Sequence, residues 1–196
     1  MSESRRNINY WQGKQVRLRA IEGVGTANSD DWETFYNWNS DSEVARECYC
    51  IPFPQSREAV KKWAAAKAVE EPKEDVFYFV IENHSGEVLG TINTHTCSQR
   101  NRTFMYGLAI LREHWRKGYA SDAIRLVLRY YFDELGYQKV TVQIYSFNDA
   151  SLKLHKNLGF QQEGCLRRMI YTDGAYHDEI IMGLTAEEFK EIPNGS

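Results

Sequence analysis

The sequence predicts an α/β protein of the α+β kind, on three observations. Runs that alternate at period two, as half-buried strands do, succeed one another through short polar turns. One long stretch, Ala120 to Leu135, carries its apolar residues at helical spacing instead. The strands before it read as a meander and not as repeated βαβ units, which argues against a doubly wound dinucleotide-binding sheet. With 196 residues, 42% of them hydrophobic, and no linker, one domain is expected over 1–196, its core running from about residue 14 to about residue 190.

The elements follow in order. Gln15-Val16-Arg17-Leu18-Arg19-Ala20 alternates as a strand, and Asp30 to Trp38 and Ser56 to Val69 carry helical signals, the second opened by Ser56 as an ordinary N-cap. Val76 to Glu82 and Glu87 to Thr94 are strands flanking the turn His84-Ser85-Gly86. A third strand, Thr103 to Leu111, follows the polar turn Ser98 to Arg102, so three successive antiparallel strands are expected. Ala120, Ile124, Val127, Leu128, Tyr131 and Leu135 then mark one face of a helix that Gly136 caps. Lys139 to Tyr145 places Val140, Val142 and Ile144 on one face of a strand, and Asn148 opens a short helix that Gly159 closes. The last hairpin runs from Phe160 to Leu184 around Thr172-Asp173-Gly174, with a frayed tail from Glu191.

Charge and composition narrow the function. A formal net charge of −3 does not suit a surface that tracks nucleic-acid phosphates by bulk charge. No apolar run approaches the roughly 20 residues that span a bilayer. The N-terminal MSESRRNINYW lacks the apolar stretch of a secretion signal, so a cytoplasmic protein with no membrane partner is expected. Of Cys48, Cys50, Cys97 and Cys165 only the first two are close, and no Cys/His cluster completes a zinc set. They read as reduced packing residues, with no metal site.

The stretch Arg112-Glu113-His114-Trp115-Arg116-Lys117-Gly118-Tyr119-Ala120-Ser121 joins a strand to the strongest helix. Such a turn leaves the first N–H groups of the helix unpaired, where the macrodipole adds partial positive charge, a setting that favours an anion. Gly118 permits a positive φ or a close backbone approach, Ala120 and Ser121 are small, and Arg116 and Lys117 add mobile charge. A plain glycine turn with solvated cations is the alternative. The stretch is neither a P-loop nor a dinucleotide fingerprint.

Trp115-Arg116-Lys117-Gly118-Tyr119-Ala120 resembles the Q/R-x-x-G-x-G/A signature of the GNAT superfamily of acyl-CoA-dependent N-acetyltransferases. Trp in first place is similar to the branch of ribosomal-protein N-terminal (alanine/serine) acetyltransferases and spermidine acetyltransferases. About thirty residues on, Asn148-Asp149-Ala150-Ser151-Leu152-Lys153-Leu154-His155-Lys156-Asn157-Leu158-Gly159-Phe160 resembles the family's N-x-x-S/A-x-x-L-Y-x-x-x-G-F segment. Glu163 to Arg168 and Tyr171 to Asp178 are similar to the ending of the same branch. The resemblance, covering about Thr103 to Leu184, implies a mixed, mostly antiparallel sheet with helices on both faces and a V-shaped opening between the strands at Leu108 and Val142.

It also implies acetyl-CoA as cosubstrate and direct transfer to a primary amine, with no covalent intermediate at Cys165. Leu108, Ala109 and Ile110 would bind the pantetheine arm through main-chain groups, and residues 115 to 121 the diphosphate. Asn148 would bond the arm, although capping alone explains it. Ser151 would contact the sulfur, or simply face solvent. His155 stands where many relatives have a Tyr that protonates the leaving thiolate; being four residues from Ser151, it shares a helical face with it. A satisfied surface histidine is the alternative, with Ser151 or water then serving as the acid. Ile170 replaces a Glu that some relatives use as base, and Glu82, His95, Glu113 and His177 lie near cleft edges without standing out.

Trp32, Tyr36 and Trp38 accompany Asp30, Asp31, Asp41, Glu43 and Glu47, which would suit a cationic amine or form an ordinary solvated helix face. The expected acceptor is a protein N-terminus of ribosomal-protein type, ahead of a polyamine or other small amine, and a homodimer is allowed for. A non-catalytic acyl-CoA-binding module is the rival class.

Overall fold

The structure, a computed structural model, describes residues 9–23, 31–48 and 51–192. Asp30, Cys50 and the tail beyond Ile192 lie outside them. The described residues form one sheet of seven strands: β1 (Val16–Arg19), β2 (Tyr78–Asn83), β3 (Val88–Ser98), β4 (Thr103–Ile110), β5 (Lys139–Tyr145), β6 (Gln161–Thr172) and β7 (Ala175–Thr185). Their order is β1-β2-β3-β4-β5-β7-β6. Neighbours are antiparallel except β4 and β5, so the sheet is mixed as expected.

Six α-helices accompany it: α1 (Asp31–Asn39), α2 (Ser42–Cys48), α3 (Arg57–Ala68), α4 (Tyr119–Arg129), α5 (Asp149–Asn157) and α6 (Ala186–Glu191). Successive strand residues face opposite sides, and Val80 and Ile81 show the consequence. Val80 packs with Ile21, Trp32, Phe35, Val60 and Ala64 beneath α1 and α3. Ile81 joins the larger cluster, to which α4 contributes Ile124, Val127 and Leu128. Beyond Arg129, α4 widens into a π-helical turn, Tyr130–Glu134, so the periodicity read to Leu135 reflects two kinds of turn.

Two elements differ from the sequence expectation. Helix α2 is additional: Asp41 caps it, its carboxylate accepting from the N–H groups of Glu43 (3.1 Å) and Val44 (3.3 Å). Helix α6 is additional too: it opens with a capping box in which Thr185 and Glu188 exchange side-chain to main-chain bonds of 2.8 and 3.2 Å.

The parallel pair β4–β5 sets the site. It is in register only where Thr103, Phe104 and Met105 face Lys139, Val140 and Thr141. Beyond that point β4 stays on β3, with Leu108 opposite Ile92 and Ala109 opposite Thr91, while β5 stays on β7. The sheet therefore opens between Leu108 and Val142, and one edge of β4 is left without a strand partner. Close approach on the other edge depends on Gly90, where a Cβ would lie 2.1 Å from the Ala109 carbonyl oxygen.

Candidate active site

Beyond Ile110 the chain makes one 3-10 turn, Arg112–His114, and enters the loop 115–118. Trp115 fastens that loop to the strand it has just left: its indole Nε1–H donates to the Ile110 carbonyl at 2.6 Å. Arg116 (φ 60°) and Gly118 (φ 87°) are both left-handed, and backbone of this kind gathers N–H groups into an anion-binding concavity. Gly118 is the N-cap of the eleven-residue α4 and supplies no side-chain cap, so the first-turn N–H groups remain available to an anion. The entry to α4 is held from a distance. Asp122 accepts from the main-chain N–H groups of Lys14 (3.3 Å), Gln15 (2.7 Å) and Val16 (3.1 Å), tying the start of β1 to the start of α4.

This loop forms one wall of a cavity of about 340 Å³. Leu108, Ala109 and Ile110 on the open edge of β4 form a second wall, and Asn148, Ala150, Ser151 and Leu154 of α5 a third. Trp115, Arg116, Lys117, Gly118, Tyr119, Ala120 and Ser121 all line it. The lining also includes Val44 and Cys48 of α2 and His114, which the sequence reading did not single out as site residues, and Glu47 of α2, which it placed among the acidic groups suited to a cationic amine. Asn148 caps α5, its Oδ1 accepting from Ser151 N–H at 2.9 Å, which leaves its amide nitrogen to serve the cavity.

His155 is the exception. It is 4% exposed and is absent from the lining of the cavity. Its Nδ1 meets the Ser151 carbonyl at 2.8 Å and its Nε2 meets the Tyr106 hydroxyl at 2.9 Å. A carbonyl only accepts, so Nδ1 carries the proton and Nε2 accepts from Tyr106. Burial lowers the His155 imidazole below its ordinary value, and burial holds Tyr106 well above its own as a neutral phenol. The imidazole thus bridges α5 and β4, and burial favours its neutral form. Ser151 Oγ, 3.3 Å from Nδ1, is the hydroxyl that lines the cavity.

A second cavity of about 420 Å³ lies against the same strand. Phe35 and Trp38 of α1, Trp63 of α3 and Tyr78 of β2 give it an aromatic wall, and Asn39, Gln55, Thr91 and Asn93 supply amides and a hydroxyl. It meets the first cavity at Cys48, Leu108 and Ala109, which line both. Cys48 is exposed as a residue, yet desolvation of its thiol pushes it up to about 11. At neutral pH it is a thiol, a weak nucleophile.

The acidic residues of α1 and α2 mostly have partners inside the chain. Asp31 holds Arg19 in a two-pronged pair at 2.7 and 2.8 Å. Arg19 also meets the fully buried Glu82 at 2.6 Å, which commits Glu82 to structure. Arg112 reaches Asp41 at 2.6 Å and also Glu43. Glu47 differs: among the described residues no hydrogen bond or ion pair engages its carboxylate, and burial raises its affinity for a proton against the opposing influence of Arg112. The aromatic faces are similarly occupied, with Lys61 lying 4.5 Å from the Trp32 ring centre and Arg57 5.0 Å from that of Tyr36. His95, Glu113 and His177 line neither cavity.

Comparison with known proteins agrees with this architecture. Residues 25–161 match the family model described as acetyltransferase (GNAT) domain. The chain is 38% identical over 183 residues to the SPbeta prophage-derived uncharacterized N-acetyltransferase YokL of Bacillus subtilis (strain 168), covering 93% of this chain and 97% of that one. YdaF of the same organism, named provisionally as a ribosomal N-acetyltransferase, is 30% identical over 107 residues, 55% of this chain and 58% of its own. The solved spermidine N-acetyltransferase from Vibrio cholerae, in complex with CoA and spermine, superposes with a TM-score of 0.74 at 22% identity, over 90% of this chain and 99% of that chain. At that identity the likeness speaks for the fold. On the family match and the near full-length relative, the chain belongs to the GNAT family and is an N-acetyltransferase that uses acetyl-CoA.

Proposed function

We propose that residues 115–121 hold the diphosphate of acetyl-CoA, and that the open edge of β4 at Leu108, Ala109 and Ile110, together with Asn148, holds its pantetheine arm. The acetyl group then passes directly to a primary amine that enters through the aromatic cavity. The observation that carries this reading is the meeting of the two cavities at Cys48, Leu108 and Ala109, where a thioester on one side can face an amine on the other.

Each chemical demand has a candidate. The backbone nest, the α4 N-terminus and the side chains of Arg116 and Lys117 supply positive potential for a diphosphate. Glu47 takes the proton that the amine nitrogen must lose as the N–C bond forms and the C–S bond breaks. Ser151, or water beside it, returns a proton to the thiolate. Cys48, held as a neutral thiol, is not acylated, in keeping with direct transfer.

A protein N-terminus of ribosomal-protein type is the favoured acceptor, supported by the provisional name of YdaF. It presents a single amine, which one unpaired carboxylate serves. A polyamine is the alternative, supported by the likeness to the Vibrio enzyme but not by the cavity, whose lining among the described residues holds no carboxylate. Thiol release from acetyl-CoA, measured against N-terminal peptides and polyamines, tests the reading. Turnover with peptides above polyamines is expected; binding of acetyl-CoA with no turnover on any amine would contradict it.

A further inference from the structure

The acceptor's body, and not only its amine, is legible in the second cavity. We infer that this cavity selects a primary monoamine whose body is uncharged and bulky, aromatic or branched aliphatic, and able to make one or two hydrogen bonds; this rests on the acceptor entering there, as proposed above.

Three observations support it. First, the wall is built from packed rings: Phe35 meets Trp63 edge to face at 5.3 Å, and Trp63 meets Tyr78 edge to face at 5.9 Å. Such a wall favours apolar or aromatic surface through contact and quadrupole fit.

Second, the lining is neutral. Among the described residues its titratable groups are Cys48 and Tyr78, and burial pushes both upward, which keeps them uncharged at neutral pH. An ammonium carried into this space by a polyamine would lose water and gain no carboxylate. The carboxylates of Asp31, Asp41 and Glu43 are held by Arg19 and Arg112, and the nearby rings of Trp32 and Tyr36 are covered by Lys61 and Arg57.

Third, the polar groups are amides and a hydroxyl. Gln55 accepts from Asn39 at 3.2 Å near the rim, while Asn93 and Thr91 line the β3 side. They suit a phenol, an amide or a peptide carbonyl. A free arylalkylamine and a peptide beginning with a large apolar residue present the same chemistry, so among the protein N-termini proposed above the inference selects those with a large apolar first residue over those that begin with alanine or serine.

The test is a comparison of kcat/KM at fixed acetyl-CoA for tyramine, phenethylamine, tripeptides beginning with Phe or Ala, and spermidine. Tyramine, phenethylamine or the Phe peptide should exceed both spermidine and the Ala peptide by about tenfold or more, the scale on which apolar pockets discriminate. Whether the free amines or the Phe peptide leads identifies the source of the amine. Trp63→Ala should raise KM for the preferred acceptor and leave KM for acetyl-CoA unchanged. Since Trp63 also packs against α1, the exposed Gln55→Glu is the second variant. By placing a carboxylate on the wall it should raise kcat/KM for spermidine relative to tyramine. Preference for spermidine or the Ala peptide in the unaltered protein would overturn the inference and leave the acetyltransferase reading standing. If no amine were turned over, that reading would fall, and calorimetric titration of tyramine into the CoA-bound protein would judge the cavity: saturable binding supports the inference and its absence overturns it.

Discussion

Glu47 is the base we propose, and His155 is a buried bridge between α5 and β4. Glu47 lines the cavity with an unengaged carboxylate of raised proton affinity, so Glu47→Gln should lower kcat by about a hundredfold or more, the usual contribution of a positioned base. Only the ionised carboxylate accepts a proton, and its pKa lies above the ordinary 4.5. Activity of the unaltered protein should therefore rise with pH through that raised value, and the variant should lose this limb. The charged or titratable groups around it are Arg112, Asp41 and Glu43, with His114, Arg116 and Lys117 on the cavity wall. His155, by contrast, is predicted to govern stability. Its imidazole is neutral in the fold with a lowered pKa, so its contribution is complete above the ordinary 6.5 and is lost as pH falls from there through the folded value. Tyr106→Phe leaves Nε2 as a buried acceptor without a donor and should cost about 1–3 kcal/mol in denaturant unfolding.

At the scale of elements, the site depends on where α2 and α5 are put. Helix α2 carries Glu47 and Cys48 into the cavity and is held to the turn before the loop by Arg112, through Asp41 and Glu43. Hydrogen bonding to Arg112 lowers the Asp41 carboxyl below its ordinary 3.8. The linkage is therefore whole above that value and is lost only as pH falls through the folded one. Arg112 and Glu43 are exposed and Asp41 is partly so, and salt should therefore weaken the linkage. Arg112→Ala should raise KM for the acceptor, and high salt should reproduce part of that rise in the unaltered protein. Helix α2 was illegible in the sequence for a physical reason. It has seven residues, of which Val44 is the buried one, too few to print an amphipathic period. Helix α6 was legible in principle, since Thr185 and Glu188 make the three-residue spacing of a capping box. The loop 115–121, Asn148 and Ser151 could be read because helix starts and turns are local. Glu47 and the surroundings of His155 could not, because Tyr106 stands forty-nine residues away and no local pattern announces it.

For the whole molecule, the fold works as a sheet that separates at one seam. The antiparallel strands and the apolar face of α4 build the main core, and α1 and α3 cover the opposite face with a smaller one. The strand pattern made most of this readable, since alternation fixes which residues face each way. The separation of β4 from β5 was reached through family resemblance, because a failure to pair leaves no mark on composition. Beside the seam, the loop 115–121 and the open edge of β4 line one cavity, and a second with an aromatic wall shares Cys48, Leu108 and Ala109 with it. The central claim is that this loop holds acetyl-CoA through its backbone. Calorimetric titration of acetyl-CoA into the unaltered protein and into Gly118→Val tests it most directly, with far-ultraviolet circular dichroism to verify that both are folded. Gly118 sits at φ 87°, and a Cβ there would lie 3.3 Å from Gln15 Nε2, so valine must displace the backbone that forms the nest. The account predicts saturable binding to the unaltered protein and severe loss in the folded variant; equal affinity in the two would contradict it.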